Sequence, residues 1–361
     1  MPRIAGIDAW RVRVPLRSVF RISYAETAYA DTVFVRVRLD DGVEGYGEAC
    51  PSLHVTGETI DSVLSYVGLV ANSLKGLDPV SELSKILAKI HGVEGFSAAR
   101  AGLEMAVLDA ASKSLGLSLA EYLGGPMRSR VYTDYTISLA SPSEMAEEAR
   151  RVVEKGFRVL KLKLGGPVEE DIRRVEAVRE AVGSSIRLRV DANQAWSRRE
   201  AVKAVSRLEE YDVELVEQPT PYWCIDCLEE VSRHSRIPVA ADESAKSLRE
   251  VVSLAARGVV DVINIKLMKI GGPLQAATAL RVLERLGIDA MLGCMVETRL
   301  GITPAAMLAY VSEAARFIDL DSPLFLAEEP VEGGVEYGEG GLLRLPGGGR
   351  KGIGARPLKT P

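Results

Sequence analysis

The chain has 361 residues, 47% of them hydrophobic, and carries a formal net charge of −5. It is longer than one ordinary domain and rich enough in apolar residues for a large core, and its mild acidity argues against nucleic acid as a main partner. No apolar run approaches the roughly 18 residues of a membrane span, and MPRIAGIDAWRVRVPL at the N-terminus alternates like a strand instead of carrying a signal peptide's apolar centre. A cytoplasmic location is therefore expected.

In chain order, Ile4 to Val14 reads as a strand and Thr32 to Leu39 as a second. Asp41-Gly42 supplies a hairpin turn, and Val43 to Glu48 returns as a third strand. Helical patterns follow at Thr59 to Leu74, Pro79 to Ile90 and Ser97 to Leu115, making an α+β unit over residues 1–125. A barrel is expected over 126–322, starting with VYTDYTISL from Val131. Ser141-Pro142-Ser143-Glu144 then opens a helix with an N-cap Ser, Pro at the first helical position and a reaching Glu. Later strands are expected near Val159, Leu188, Leu215, Val239, Ile263, Ala290 and Phe317, completing eight. Residues 323–361 are Gly-rich and are expected to return to the N-terminal unit. GGGRKGIG within them lacks the Lys-Ser/Thr ending of a phosphate loop.

The barrel expectation rests on a period. Lys163, Asp191, Glu217, Asp242 and Lys266 fall 28, 26, 25 and 24 residues apart, and with Lys161 they sit at the ends of the apolar runs VLKLKL, IRLRVD, VELVE, IPVAAD and VINIK. Strand, loop, helix, loop takes about that length, and C-terminal strand ends share one mouth, where barrel enzymes keep their chemistry. Three carboxylates from successive strands suit a hard cation such as Mg²⁺, with Mn²⁺ as a substitute. Only three His exist, His54, His91 and His234, and none lies at an expected strand end. Lys161 and Lys163 alternate on the second strand and Lys266 lies across the mouth on the sixth. Lysines near other cations, or partly desolvated, have lowered pKa values and can act as bases. The plainer alternatives, acids that cap helices and lysines that only neutralise them, explain single residues less well than the whole register. Lys269 is read as such a neutralising bystander.

The chain has three Asn and three Gln, and four of the six, Asn193, Gln194, Gln218 and Asn264, lie in these strand-end segments. Loss of thermolabile amides elsewhere is a thermophile's compositional signature.

KLK at 161–163, DANQAW from Asp191, EQP from Glu217, ADES from Ala241 and NIKLMKIGG from Asn264 resemble the enolase superfamily. The resemblance spans nearly the whole chain. It implies a modified (β/α)7β TIM-type barrel, an α/β fold, under an N-terminal α+β capping domain completed by the C-terminal tail. Lysines on both strands favour the muconate lactonizing subgroup. The mandelate racemase subgroup would need a His at the seventh strand end, where GCMVE offers Cys294.

Asp319 and Asp321 resemble the Asp-x-Asp pair of the dipeptide epimerases, the family of the L-Ala-D/L-Glu epimerases, which holds the substrate's ammonium. Two carboxylates on one strand face, away from the metal, make a cation site. The segment from Leu53 to Glu58 and that from Glu297 to Gly301 also look like that family, so the resemblance implies substrate-binding roles for Tyr24, Ala25, His54, Asn193, Glu297 and Thr298. It assigns Lys163 and Lys266 as the acid/base pair, Lys161 as a carboxylate-binding aid, and Asp191, Glu217 and Asp242 as the ligands of one Mg²⁺, whose charge steadies an enediolate. It also suggests a homo-oligomer, a dimer or octamer.

Two departures qualify the match. Anchored on Phe20, the position where Ala-Glu epimerases carry an Arg for the glutamate side chain is Ala25, so an apolar or cationic second residue is as good an expectation as Glu. The loop after Glu217 contains Trp223-Cys224-Ile225-Asp226-Cys227, expected to be a local disulfide or incidental thiols, with Cys50 and Cys294 as ordinary buried thiols. The leading expectation is a Mg²⁺-dependent dipeptide epimerase. Muconate cycloisomerisation or o-succinylbenzoate synthesis is the enzymatic alternative, and leaves Asp319 and Asp321 unexplained. A binding protein on a retired barrel is disfavoured because every catalytic position is filled.

Overall fold

The computed structural model describes residues 2–347 and 349–361. Strands β1 (Ile4–Ile22), β2 (Ala25–Leu39) and β3 (Glu44–Ala49) form one antiparallel sheet in that order. Gly42 makes the β2–β3 turn, with φ 89° and its N–H donating to Leu39 O at 3.1 Å. The first two strands run further than their alternation predicts. Pairing resumes after a register shift between Pro15 and Phe20 and continues through Phe20 and Thr27 to Ile22 and Ala25. Residues 15–31 bury no continuous face against the core, so periodicity gives no sign of them; backbone pairing carries the hairpin outward, and Ser23 Oγ and Tyr24 OH tie its tip to Asn193 O and Glu243.

The core of this unit packs Val33, Val35 and Val37 against α1 (Ile60–Leu74), α2 (Leu83–Ile90) and α3 (Ser97–Ser114). Thr59 and Ser62 cap the start of α1 reciprocally. Any Cβ on Gly45 or Gly47 would strike the backbone of α3, so sheet and helix meet main chain to main chain there. A short helix, α4 (Leu119–Tyr122), follows.

The segment expected to open the barrel is divided between two sheets. Val131–Tyr132 (β4) pairs with Leu342 and Leu343 near the C-terminus, and only Tyr135–Ile137 (β5) joins the barrel. Thr133 and Asp134 lie between the two pairings: Thr133 N–H donates to Gly341 O, and Asp134 N–H to Ile318 O. The other barrel strands are β6 (Val159–Lys163), β7 (Arg187–Asp191), β8 (Val213–Glu217), β9 (Val239–Ala241), β10 (Val262–Ile265), β11 (Asp289–Leu292) and β12 (Ala315–Ile318), parallel and neighbouring in chain order. The bond from Asp134 to Ile318 at 3.1 Å and one from Leu320 N–H to Thr133 Oγ1 at 2.8 Å bring the first strand to the last. Strands buried on both faces read as nearly continuous apolar runs. One layer below the strand ends, Leu215, Ala240, Val262, Met291 and Phe317 fill the barrel.

Helices α5 (Pro142–Glu154), α6 (Val168–Val182), α7 (Arg198–Leu208), α8 (Ile225–His234), α9 (Leu248–Arg257), α10 (Leu267–Ile270), α11 (Pro273–Leu286) and α12 (Arg299–Val311) alternate with the strands. The expected Ser141/Glu144 capping box starts α5, with Pro142 in its first turn. Beyond the barrel, β13 (Val331–Gly333), β14 (Glu336–Tyr337), β15 (Leu342–Arg344) and β16 (Ala355–Pro357) form small sheets, β13 with β16 and β14 with β15 and β4. This tail meets the N-terminal unit where Leu326 bridges Leu16 and where Ile353 N–H donates to Asp109 Oδ1 at 2.6 Å. No helix among the described residues is long and apolar enough to cross a membrane.

Candidate active site

The strand ends set the site. On β6, side-chain alternation sends Lys161 and Lys163 inward, 1% and 7% exposed. The Lys161 ammonium lies 2.7 Å from Asp319 Oδ2, 2.6 Å from Glu217 Oε2 and 3.2 Å from Asp191 Oδ2. Lys163 Nζ donates to Asp191 Oδ2 at 2.6 Å. Four strands further round, Lys266 follows β10 and donates to Asp242 Oδ2 at 2.8 Å. Lys163 and Lys266 thus stand on the second and sixth of eight strands, with the acids between them.

Lys269 is fully enclosed, donating to Asp242 Oδ1 and to the carbonyls of Asp242 and Asn264. Burial lowers its pKa against the opposing pull of Asp242. For Lys266 the expected lowering is not found. Burial pushes its pKa down, but Asp242 and Glu217 outweigh it and the ammonium is held above the ordinary lysine value. Lys161 is raised in the same way, burial being outweighed by Asp319 and Glu217. Each of these lysines is closer to a carboxylate than to another cation, so attraction wins over crowding.

The retained amides hold these acids in place. Asn264 Nδ2 donates to Glu217 Oε1 at 2.6 Å. Gln218 Oε1 accepts the N–H of Asp242 and of Ser244, at 2.9 and 3.1 Å. Asn193, Gln194 and Gln218 all have left-handed backbones, with φ of 41°, 68° and 36°. Short polar side chains such as Asn tolerate that region better than β-branched ones. The composition signal therefore has a local cause, partly side-chain bonding and partly backbone conformation.

Asp191, Glu217 and Asp242 are buried side by side: Asp191 and Glu217 are register partners on β7 and β8, and Asp242 directly follows β9. Three carboxylate donors with no His or Cys among them fit a hard divalent cation. Their oxygens are interleaved with lysine ammonium groups, and among the described residues another group of acids has oxygens that gather closely. That group is Asp134, Asp319 and Asp321, whose oxygens lie within 4.8 Å of one another. Its charge balance points to a different guest. Asp134 accepts from Arg189 Nη1 at 2.8 Å and Asp319 from Lys161, whereas Asp321 accepts from the Thr136 N–H at 2.6 Å and pairs with no cation. Of the three acids, Asp321 is the one with no cationic partner among the described residues. Asp319 is held down at about 2 because Lys161 and Lys163 overcome its burial, while burial and neighbouring Asp319 push Asp321 up to about 7. The strand-end triad could hold a divalent cation, and Asp321 could receive a monovalent one.

Above the strand ends lies a cavity of about 280 Å³. That is small for a ligand pocket and suits a compact guest. Lys163, Lys266, Asp242, Asn193, Asp319 and Asp321 line it from the barrel side, and Tyr24, Ala25 and His54 from the capping side. Tyr24 OH donates to Glu243 Oε1 at 3.2 Å, and Tyr24 stacks obliquely near His54 with ring centroids 5.4 Å apart. Burial and Asp242 push Glu243 up to about 7.

Two family models match the chain: "Mandelate racemase / muconate lactonizing enzyme, N-terminal domain" over residues 5–124 and "Enolase C-terminal domain-like" over residues 144–359. The chain belongs to this family of the enolase superfamily. A hydrophobic dipeptide epimerase of Enterococcus faecalis is 39% identical, over 95% of this chain and 97% of that one. An L-Ala-D/L-Glu epimerase of Bacillus subtilis is 37% identical, over 99% and 98%. The solved structure of a dipeptide epimerase from Cytophaga hutchinsonii, complexed with Mg and D-Ala-L-Val, superposes with a TM-score of 0.95 at 32% identity, covering 99% of this chain and 96% of that one.

Within this family frame, two expected substrate contacts move away from the cavity. Glu297 and Thr298 are buried and absent from its lining. Thr298 caps α12 and donates through N–H and Oγ1 to Glu48 of β3, while Glu297 Oε1 accepts the Met295 N–H at 2.8 Å. Glu48 and Glu297 share a buried junction between the capping sheet and the barrel; burial, with Glu48 near, pushes Glu297 up to about 8. Cys294 is also corrected: it is half-buried, whereas Cys50 is buried and donates to Val296 O, and both cysteines line the cavity. Cys224 and Cys227 form a disulfide at the start of α8. Asp134, Arg189 and Glu243 were not singled out from sequence. Arg189 alternates with Asp191 on IRLRVD and Glu243 follows Asp242, which was the available signal; Asp134 gave none, because its strand was expected to be continuous.

Proposed function

We propose that the chain is a Mg²⁺-dependent dipeptide epimerase that moves a proton from one face to the other of the α-carbon in the C-terminal residue of a dipeptide. The observation that carries this reading is the pair of lysines on opposite strands, Lys163 and Lys266, with carboxylates between them and the unpaired Asp321 at the same mouth. One lysine, neutral, takes the α-proton as the C–H electron pair moves into the adjoining carboxylate; the other, as ammonium, delivers a proton to the opposite face. Lys161 meets the substrate carboxylate with fixed positive charge. Asp319 and Asp321 receive the terminal ammonium, which gives Asp321 a cationic partner and fixes which α-carbon lies between the lysines. A divalent cation on Asp191, Glu217 and Asp242 supplies electrostatic stabilisation as charge builds on that carboxylate. A muconate or succinylbenzoate precursor carries no ammonium and leaves Asp321 without a partner.

Within this reading the enzyme is a cytoplasmic homo-oligomer acting on a small molecule. Sedimentation of the purified protein tests the assembly. The chemistry is tested by incubating Mg²⁺-loaded enzyme with dipeptides in D₂O and following mass: one deuterium per molecule and a mixed configuration at the C-terminal residue are expected. Folded, metal-loaded enzyme that exchanges no dipeptide would remove the proposal.

A further inference from the structure

The two sides of the cavity differ in charge as well as in origin. Among the described residues, Lys163 and Lys266 are the only Lys or Arg side chains on its wall. Opposite them, the extended β1–β2 hairpin contributes Phe20, Ile22 and Ala25, and loops contribute Val55, Val296 and Phe325. Phe20 and Phe325 pack with ring centroids 5.5 Å apart, and Phe325 meets Tyr135 edge-on at 5.2 Å, so this wall is braced by aromatic contacts.

The hairpin also brings two acids to the wall, Glu26 and Asp31, and both are occupied. Asp31 takes a bidentate pair of bonds from Arg11 at 2.7 and 2.5 Å, and Glu26 takes Arg21 at 3.3 Å. Arg21 itself is not part of the lining. A carboxylate entering this end would find acids and no free cation, and desolvating it unpaired is costly. At the hairpin end a cationic side chain would have to take Asp31 or Glu26 from an existing arginine, whereas Glu243, which lines the cavity beside Tyr24, has no cationic partner among the described residues. An apolar side chain displaces nothing.

We infer that the cavity selects dipeptides whose residue between Lys163 and Lys266 carries an uncharged, apolar or aromatic side chain, and rejects those with an acidic one there. The inference rests on the epimerase reading and names its substrate class. Discrimination comes from a hairpin side whose described lining residues include no lysine or arginine and from the apolar wall of Phe20, Ile22, Val55 and Phe325.

The test is a competition in D₂O between L-Ala-L-Leu, L-Ala-L-Phe, L-Ala-L-Glu and L-Ala-L-Lys with the Mg²⁺-loaded enzyme, read by mass. Leu and Phe are expected to exchange on the order of 100-fold faster than Glu at equal, subsaturating concentration. Ala25→Arg and, separately, Thr27→Arg should raise the Glu-to-Leu ratio at least about tenfold, mainly through KM for Glu. Exchange of Glu or Lys at or above the rate of Leu overturns the inference while leaving the epimerase intact. No exchange of any dipeptide instead brings down the reading beneath it. An unchanged ratio in both Arg variants, melting like the parent, removes the hairpin's assigned part.

Discussion

The barrel side of the cavity and the hairpin side are built on opposite principles. At the barrel mouth four lysines and four acids, Asp191, Glu217, Asp242 and Asp319, are buried within bonding distance of one another, and almost every charge has a fixed partner. On the hairpin side the wall facing the cavity is apolar and its charges are tied up by exposed arginines. Buried charge needs many coordinated partners and cannot change one residue at a time, whereas an apolar wall tolerates exchange. Reaction chemistry and side-chain choice are therefore separable in this molecule, and substitutions on the two sides should fail differently.

The largest effects belong to the lysines. Lys163→Ala and Lys266→Ala should each lower kcat for epimerisation by about 10⁴-fold, the upper range for a lost general acid or base. With one lysine remaining, each variant should still exchange the α-proton of one diastereomer with solvent and invert neither. Mass and chirality measured on the same sample check this. If one variant exchanges both diastereomers, the two-sided assignment is wrong.

Next comes the joint between the two sides. Glu48 reaches from the capping sheet to the N-terminus of α12, and Glu297 lies against it with its carboxyl raised to about 8. In the unfolded chain such a group releases its proton near 4.5, so between about 4.5 and 8 the fold keeps a proton that the unfolded chain has lost. Stability from this group therefore falls as pH rises across that window, the reverse of a salt-bridged acid. Glu297→Gln should remove the slope, gaining on the parent by on the order of 4 kcal/mol between pH 5 and pH 8. Chemical denaturation of both proteins at the two pH values measures it. An unchanged difference would mean that Glu297 is not held neutral by its burial.

The floor under Asp321 gives a smaller effect. Asp134 has one oxygen on Arg189 and the other buried without a hydrogen-bond partner beside Asp319 and Asp321. It does not line the cavity, so it acts through its neighbours. Asp134→Asn keeps the shape but leaves Arg189 less well paired and reduces the negative charge beneath the ammonium. KM should rise about tenfold with kcat nearly unchanged, which is roughly 1.4 kcal/mol of binding. A fall in kcat alone would show that the acid serves the reaction and not the ammonium.

This same contrast decides what could be read from sequence. The barrel was legible because its chemistry recurs with the period of its strands: Lys163, Asp191, Glu217, Asp242 and Lys266 are marked by position alone. The metal-side acids, both base candidates and the Asp319/Asp321 pair all come together where their spacing implies. The hairpin was not legible. Residues 15–31 face a cavity instead of a core, so they carry neither alternation nor a turn signal beyond Ser23-Tyr24, and both strands were expected to be shorter. Glu297 and Thr298 lie outside the cavity lining for the opposite reason. They sit in a recognisable segment, but their side chains turn to Glu48, some 250 residues earlier in the chain. Contacts that far apart leave no periodic trace.

The smallest expected effect tests whether the loop after β8 belongs to the chemistry at all. Cys224 and Cys227 close a loop of only three residues' separation, beside Trp223 at 72% exposure. The closure of so short a loop constrains the unfolded chain little, by about 2 kcal/mol on the chain-entropy account. The loop still touches the site's support, because Tyr222 N–H donates to Gln194 and Tyr222 O accepts from Ser244, whose N–H bonds Gln218. Those contacts are made by Tyr222, ahead of Cys224 in the chain, and none passes through the sulfur atoms. Cys224→Ser with Cys227→Ser should therefore lower stability by no more than about 2 kcal/mol and leave kcat and the Leu-to-Glu preference where they were. A kcat that falls with reduction, in protein that remains folded, would make this loop part of the barrel's charged machinery and move the boundary between the two sides.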